Sequence, residues 1–203
     1  MSKSALSFVI LLLLFGVGIF MKENNKAPNA SLLKEDALIL AFGDSLTYGF
    51  GVDKALSYPA LLAKKTGLRV VNAGVPGEES AEGLARLPKL LTQKPDVVIL
   101  CHGGNDILRK LSMSELKRNL LAMVELIEQS GAKVILVGVP DFALLGFSAH
   151  SIYDEVAREK DLIYEDEILA YVESRRELKS DYVHPNAKGY EMMADAIGKS
   201  LAF

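Results

Sequence analysis

A serine that lies just beyond an apolar run is the first residue of this sequence whose surroundings suit a catalytic role. The run ALILAF, at residues 37–42, leads through Gly43 and Asp44 to Ser45, and further glycines follow. A strand ending here would hold the serine hydroxyl at a sharp turn, where a substrate can come close to the backbone. Ser45 is therefore a candidate nucleophile for acyl transfer. The alternative is that it only caps a helix.

A serine nucleophile needs a base that takes its proton and a group that orients the base. Of the three histidines, only His184, in the segment SDYVHPN, has a carboxylate close by in a short loop, that of Asp181. A turn could bring this carboxylate to the second ring nitrogen, so the spacing favours His184 as base and Asp181 as orienting group. The alternative is an exposed turn capped by Asp181. His102 and His150 are expected to have structural roles.

Amide groups after the other apolar runs could stabilise the negative charge that develops on a substrate oxygen. The N–H of Ser45 is one such donor, and Gly74 or Gly77 in the segment NAGVPGE is a second. The spacing does not decide between the two glycines. Asn105, in HGGND, would add a side-chain amide, unless it is a simple turn former. Each donor of this kind contributes roughly 3–4 kcal/mol to lowering the barrier.

Five apolar runs must position these residues, and amphipathic segments lie between them. The runs are continuous and rich in Val, Ile and Leu, which is typical of parallel strands covered on both faces. They occupy residues 37–42, 68–73, 96–101 and 132–139, with a weaker run at 161–164. Helices are predicted at 58–66, 81–92, 113–130 and 151–160 and after the cap residue Asn186. The alternation predicts an open α/β sandwich with its chemistry at the carboxyl ends of the strands.

Four segments, FGDSLTYG, NAGVPGE, GGND and DYVHPN, resemble in this order the motif blocks of the GDSL or SGNH hydrolase family. The resemblance spans about residues 38–201 and is strongest to bacterial acyl thioesterases, arylesterases and lysophospholipases. It implies a three-layer α/β/α sandwich with a five-stranded parallel, flavodoxin-like sheet, and a serine hydrolase that needs no metal or organic cofactor. The site residues that it implies are the nucleophile Ser45, the base His184, the orienting Asp181, and an oxyanion hole formed by Gly77, Asn105 and the Ser45 amide.

One residue departs from the family pattern. Pro76 stands in NAGVPGE where many relatives carry a serine. Proline stiffens the loop and lacks an N–H of its own, but it leaves the N–H of Gly77 in place. The change therefore bears on loop mobility and substrate breadth rather than on the reaction. Asp44 and Asp106, which adjoin the site residues, are interpreted as supporting or turn-forming groups.

The loop after the fourth run, PDFALLGF, is strongly apolar. We expect Phe142, Leu144, Leu145 and Phe147 to line an acyl groove beside Ser45; the alternative is that they cover the core. In related thioesterases and lysophospholipases this region borders the acyl chain. The resemblance thus favours acyl or aryl carboxylic esters or thioesters, including lysophospholipids, hydrolysed through an acyl-enzyme intermediate.

Other functions compete with this one. An O-acetylesterase acting on cell-envelope carbohydrate is the alternative within the family. A non-catalytic, membrane-tethered binding module would belong to a different class. A flavin-binding electron carrier is disfavoured, because GDSLTYG offers only part of a phosphate-cradling loop.

The start of the chain differs from the hydrolase domain expected at residues 37–203. Residues 5–21 carry no charge, and residues 22–36 form a polar linker. About 17 apolar residues suit an uncleaved membrane anchor or a cleaved export signal, while a helix buried in the globule is a third alternative. Residues 1–21 thus predict an exported domain. It would be anchored in the inner membrane facing the periplasm or cell exterior, or periplasmic or secreted after cleavage.

The composition of the chain narrows the remaining classes of function. A net charge of −3 and the lack of a basic run give no reason to expect nucleic-acid binding. The single cysteine, Cys101, allows no intrachain disulfide or Cys/His zinc site and is expected to be a buried small hydrophobe. With 203 residues, half of them hydrophobic, the fold can rest on packing alone. The expected partners are a small-molecule ester or lipid and, through the N-terminal segment, a membrane; we expect a monomer.

Overall fold

The computed structural model describes residues 33–141 and 148–201. The strands in this part are β1 (Leu38–Gly43), β2 (Arg69–Gly74), β3 (Val97–Cys101), β4 (Lys133–Val137) and β5 (Ile163–Glu165). The helices are α1 (Ser45–Tyr48), α2 (Tyr58–Thr66), α3 (Ser80–Leu91), α4 (Gly104–Leu108), α5 (Met113–Gln129), α6 (Ser151–Lys160), α7 (Ile168–Glu173) and α8 (Ala187–Lys199). Short 3₁₀ turns lie at Lys54–Leu56 and Arg176–Leu178.

The five strands form one parallel sheet in the order β2-β1-β3-β4-β5. Leu40 in the middle of β1 pairs with Val71 on one side and Val98 on the other. Helices α2 and α8 pack together, and α5 packs against both α3 and α6. This confirms the predicted α/β/α sandwich. The strand order reverses between β1 and β3, so the crevice that parallel sheets use for ligands opens at the end of β1.

Continuous burial explains why the central strands show no alternation. Every residue of β1 and β3 is buried, including Phe42 at the end of β1 and Cys101 at the end of β3. Helix α5 buries one face instead, with Leu116, Leu120 and Met123 fully covered by the sheet and the neighbouring helices. The N-cap of α8 is Asn186, as predicted, whose side chain accepts from two N–H groups of the first turn.

The predicted strands and long helices lie within a few residues of the observed ones. The short helices α1, α4 and α7 were not predicted, because four to six residues are too few to show a helical period.

Several predictions fall outside the described residues. They concern the anchor or export signal at residues 1–21, the linker up to residue 32, and the expected acyl groove of Phe142, Leu144, Leu145 and Phe147. Across residues 33–141 and 148–201, no helix is both long enough and apolar enough to cross a membrane.

Candidate active site

Ser45 is the first residue of α1 and follows β1 after one intervening residue. The turn needs glycine at position 43, because a Cβ on Gly43 would lie 2.0 Å from the carbonyl oxygen of Cys101. Asp44 is the helix cap, and its Oδ1 accepts the N–H of Leu46 at 3.0 Å. The alternative that Ser45 is only a cap is therefore wrong, and its hydroxyl is available to other partners.

His184 and Asp181 meet Ser45 although they lie at the other end of the chain. The Nε2 atom of His184 is 3.0 Å from the Oγ atom of Ser45. The Nδ1 atom of His184 is 2.7 Å from Oδ2 of Asp181. A carboxylate at Nδ1 favours the tautomer with its proton on that nitrogen, which leaves Nε2 free to accept the serine proton.

Asp181 is held as a carboxylate. Its Oδ1 accepts the backbone N–H groups of Val183 and His184, each at 2.9 Å. Partial burial raises the pKa of Asp181, but the hydrogen bonds from the His184 ring and these two amides outweigh it, so the pKa lies below its ordinary value. The negative charge at neutral pH would stabilise the imidazolium that forms when His184 takes a proton.

The loop that carries Asp181 and His184, residues 179–186, is closed by hydrogen bonds between its own ends. We call it the acid–base loop. The N–H of Ser180 donates to the carbonyl of His184 at 2.8 Å, and the N–H of Asn186 donates to the carbonyl of Leu178 at 2.8 Å. The Nζ atom of Lys179 donates to the carbonyl of Tyr182 at 3.0 Å.

The chain just after α1 packs against this loop. The ring of Phe50 lies 4.5 Å from the His184 ring, centroid to centroid, with the planes inclined at 37°. Gly51 has a φ of +85°, and a Cβ there would be 2.3 Å from the Oγ atom of Ser180. The hydroxyl of Tyr190 in α8 donates to the carbonyl of Phe50 at 3.1 Å. The chain that follows α1 is thus in direct contact with the acid–base loop.

The structure separates the two glycines that the sequence left open. The N–H of Gly74 already donates to Oδ1 of Asn72 at 3.0 Å, and a Cβ on Gly74 would lie 2.1 Å from the backbone nitrogen of Tyr48. Gly74 is therefore required for packing. The N–H of Gly77 meets no acceptor in the part of the chain that the structure describes. Gly77 is the better candidate for an oxyanion donor.

Pro76 belongs to the turn that presents Gly77. The N–H of Glu78 donates to the carbonyl of Val75 at 3.2 Å, and Gly77 has a φ of +79°. Proline followed by a glycine of positive φ is the pattern of a type II turn, in which the N–H of the glycine is not used inside the turn. The departure from the family pattern therefore stiffens this turn and leaves the Gly77 amide accessible.

Asn105, the second residue of α4, faces the same region. Its Nδ2 donates to the carbonyl of Glu78 at 2.9 Å, and Oδ2 of Asp44 lies at 3.5 Å, the outer limit of a hydrogen bond. No closer acceptor for the second amide hydrogen is found among the described residues. Asp106, the next residue, accepts from Ser80 N–H at 2.9 Å and from its hydroxyl at 2.5 Å, in agreement with a supporting role.

Several charged side chains that lie wholly or partly buried beside the site were not predicted from the sequence. Asp44 is 2% exposed, and burial raises its pKa although the N–H of Leu46 donates to its Oδ1. Glu78, which is buried, forms an ion pair next to Gly77 with Arg86, whose side chain is 26% exposed. The signal available was weak: Glu78 directly follows Gly77, but Arg86 in a helix is ordinarily interpreted as a solvated residue. His150 caps α6 through its ring nitrogen, a structural role as expected.

Several cavities lie near the carboxyl ends of the strands. One of about 590 Å³ lies between α6, β5 and α7, and one of about 450 Å³ lies between α7 and α8; Ser45, Asp181 and His184 line neither of them. A smaller cavity of about 290 Å³ is lined by Tyr48 of α1 and by Asn72 and Gly74. In residues 33–141 and 148–201, no group of three or more His, Cys, Asp or Glu side chains is placed to hold a metal ion.

Comparison with known proteins identifies the family. The model of the GDSL-like Lipase/Acylhydrolase family matches residues 41–192. Esterase TesA of Pseudomonas aeruginosa is 39% identical over 132 residues, which is 60% of this chain and 66% of that protein. The Escherichia coli protein named thioesterase 1/protease 1/lysophospholipase L1 is 32% identical over 173 residues, 80% of this chain and 82% of that protein.

A solved structure agrees with these sequence matches. The crystal structure of TesA superposes with a TM-score of 0.71 at 31% identity, over 81% of this chain and 97% of that chain. The family match includes β1 from residue 41, and it contains Ser45, Gly77, Asn105 and the acid–base loop. The chain belongs to the GDSL-like lipase/acylhydrolase family and is an ester hydrolase.

Proposed function

We propose that Ser45, His184 and Asp181 are the catalytic triad of this ester hydrolase. The observation that carries the proposal is the continuous line of contacts from Asp181 through the His184 ring to the Ser45 hydroxyl, at 2.7 and 3.0 Å. Three side chains of the required types, drawn from both ends of the domain, meet in the order that acyl transfer needs.

The reaction follows from this order. As the Oγ atom of Ser45 attacks the carbonyl carbon of the ester, Nε2 of His184 takes its proton and Asp181 stabilises the resulting imidazolium. The tetrahedral intermediate collapses when His184 gives that proton to the leaving oxygen or sulfur, and an acyl-enzyme remains on Ser45. Water, deprotonated by His184, then attacks the acyl carbon, and the proton returns to Ser45 as the acid leaves.

The oxyanion accepts hydrogen bonds from the N–H groups of Ser45 and Gly77 and from the Asn105 side chain. Support comes from the lack of any other acceptor for the two backbone amides among the described residues. The Asn105 amide donates one hydrogen to the carbonyl of Glu78, and the nearest other acceptor among the described residues, Oδ2 of Asp44, is 3.5 Å away, so a closer substrate oxygen would compete for the second hydrogen. Each donor contributes roughly 3–4 kcal/mol to transition-state stabilisation.

The substrates are acyl or aryl carboxylic esters or thioesters, including lysophospholipids. The names of the relatives support this range, since they include esterase, thioesterase and lysophospholipase. Partly exposed apolar side chains follow the ends of β1, β2 and β3, namely Phe50, Val75 and Leu108, and would suit an acyl or aryl group. The contribution of residues 142–147 to an acyl groove stays a prediction.

The location of the domain is also a proposal. An apolar segment at residues 5–21 supports export, either with the segment kept as an inner-membrane anchor or after its cleavage. Fractionation of cells that express the full chain, with the N-terminal residue of the recovered protein determined, separates these outcomes.

A fluorophosphonate probe, which phosphorylates or phosphonylates activated serines, tests the triad. We expect one adduct, on Ser45, and none in Ser45→Ala, whose kcat/KM for a p-nitrophenyl ester should fall on the order of 10⁴-fold or more. Ser114→Ala, at an exposed position of α5, is the matched control and should behave as the wild type. A folded wild-type protein without an adduct would indicate a binding module instead.

A panel of p-nitrophenyl esters from acetyl to dodecanoyl defines the substrate class. We expect turnover to extend to medium or long acyl chains. Strict preference for acetyl would contradict the acyl-groove prediction and favour an O-acetylesterase.

A further inference from the structure

A cluster of charged and polar side chains lies behind the oxyanion-hole residues. It consists of Glu78, Arg86 and His102, and we call it the Glu78 cluster. The carboxylate of Glu78 accepts from Nε of Arg86 at 2.5 Å and from Nη2 at 2.6 Å, and it lies 3.0 Å from Nε2 of His102. The side chains of Glu78 and His102 are 6% and 0% exposed, so the carboxylate has exchanged water for these partners.

The protonation of the cluster can be assigned from its hydrogen bonds. The N–H of Gly103 donates to Nδ1 of His102 at 2.9 Å, so this nitrogen is an acceptor. The ring proton must then be on Nε2, from which it is donated to Glu78. Burial raises the pKa of Glu78, but the hydrogen bonds from His102 and Arg86 outweigh it, so the pKa is below its ordinary value. The cluster is an Arg–Glu ion pair with a neutral imidazole.

The cluster contacts each segment that carries an oxyanion donor. Nη2 of Arg86 also donates to the carbonyl of Gly43 at 3.2 Å and to that of Ala73 at 2.9 Å, at the ends of β1 and β2. Glu78 follows Gly77 in the type II turn, and its carbonyl accepts from the Asn105 side chain. His102 directly follows β3 and begins the segment that leads to Asn105. The donors of Ser45, Gly77 and Asn105 are thus tied to one group of side chains.

Stability alone is a poor explanation for this arrangement. Burying the Glu78 carboxylate costs desolvation energy, and well-packed apolar residues in place of a buried charge and its partners are often as stabilising or more so. The local fold also makes room for the cluster, because a Cβ on Gly83 in α3 would lie 2.3 Å from Nε2 of His102. Apolar side chains would not fix the orientation of the backbone around them, whereas charge-assisted hydrogen bonds hold their partners at defined angles.

We propose that Glu78, Arg86 and His102 are positioning residues for the oxyanion hole. They hold the 77–78 backbone so that the Glu78 carbonyl takes one hydrogen of the Asn105 amide and directs the other toward the substrate oxygen. The proposal rests on the proposed function, in which Asn105 is a donor.

A double-mutant cycle between Glu78 and Asn105 tests this role. We expect Glu78→Gln to lower kcat about 10-fold with KM changed less than about twofold, because the lost charge relaxes the turn without removing a donor. Asn105→Ala should lower kcat on the order of 10²-fold. If Glu78 acts largely through Asn105, the Glu78→Gln change should cost less than about threefold in the Asn105→Ala background. A full 10-fold loss in both backgrounds overturns the proposal, as does an unchanged kcat in Glu78→Gln.

Two further variants separate positioning from loss of folding. Val124→Ala, which opens the core beneath α5 away from the site, should lower the melting temperature and leave kcat unchanged well below it. Arg86→Lys, which keeps the charge but loses the forked hydrogen bonds, should lower kcat with little change in KM and replaces Glu78→Gln in the cycle if that variant does not fold. Equal losses of kcat in Val124→Ala and the cluster variants overturn the proposal.

The fluorophosphonate probe keeps this test distinct from that of the triad. A wild-type protein that is not labelled at Ser45 contradicts the proposed function. Normal labelling of wild type together with additive losses in the cycle contradicts only the role of the Glu78 cluster.

Discussion

The two sides of the active site are built in different ways. The proposed oxyanion side lies at the ends of β1, β2 and β3, of which β1 and β3 are fully buried, with the Glu78 cluster behind it. The acid–base loop lies at the surface, where the side chain of Asp181 is 45% exposed and Tyr182 is 79% exposed. The ion pair of Glu78 and Arg86 and the buried His102 lie behind one side, and the other is closed by hydrogen bonds between its own backbone ends.

The difference matches what each side has to do. Oxyanion donors act only if they already point to where charge develops, so their rigidity contributes directly to the rate. In the proposed mechanism His184 exchanges a proton with Ser45, with the leaving group and with water in turn, so water must reach it. Exposure at the acid–base loop therefore agrees with its proposed chemistry, provided that Asp181 keeps the ring in place.

The largest loss of activity on the acid–base side is expected from a change at Asp181. Asp181→Asn should lower kcat/KM on the order of 10³-fold, because an amide donor favours the wrong tautomer of His184 and leaves the imidazolium without its counter-charge. Steady-state hydrolysis of a p-nitrophenyl ester measures this loss. Asp195→Asn, which changes an exposed partner of Lys65 in α8, is the control and should leave kcat/KM unchanged. A loss below about tenfold at Asp181 would mean that it does not orient the base.

The buried carboxylate of Glu173, which lies beside Lys179 of the acid–base loop, makes the stability of the fold depend on pH. Neither oxygen of Glu173, at the end of α7, has a hydrogen-bond partner among the described residues, and the Nζ atom of Lys179 is 3.6 Å away. Burial raises the pKa of Glu173 to about 7, although the charge of Lys179 opposes this. Because the pKa is higher in the folded than in the unfolded chain, Glu173 contributes stability below about pH 4.5 that is lost as the pH rises through about 7.

Glu173→Gln removes this titration. The free energy of unfolding of the variant, relative to wild type, should therefore rise by up to about 3 kcal/mol from pH 4.5 to pH 8. Urea unfolding at the two pH values measures the difference, and Glu155→Gln on the exposed face of α6 should show no such trend. A difference between variant and wild type that does not depend on pH would contradict the assignment.

The smallest effect is expected where the two sides touch. Phe50→Leu should lower kcat about 2- to 10-fold, because the aromatic contact with the His184 ring at 4.5 Å is worth about 0.5–1.5 kcal/mol. Phe50→Tyr keeps the ring and should stay close to wild type in the same ester assay. Equal losses in both variants would show that the ring contact does not position His184.

The sheet and the candidate residues of the site could be predicted from the sequence, because both leave local signals. Continuous apolar runs mark buried parallel strands, and His184 with Asp181 lie in one short loop. Spacing left Gly74 and Gly77 open and only the family resemblance favoured Gly77, because the physical difference, the packing of Gly74 against Tyr48, shows only in the coordinates. The pairing of Glu78 with Arg86 was missed for the same reason: a helical arginine shows its burial only once the sheet is assembled.

Cys101 offers a way to watch the acid–base loop directly. It is the single cysteine of the chain, it is fully buried at the end of β3, and burial raises the pKa of its thiol, so thiol reagents should pass it by. A cysteine placed at the exposed position 182 would then be the one site that such reagents modify. A spin label or fluorophore attached there would report any motion of the loop during turnover, without signal from a label at Cys101.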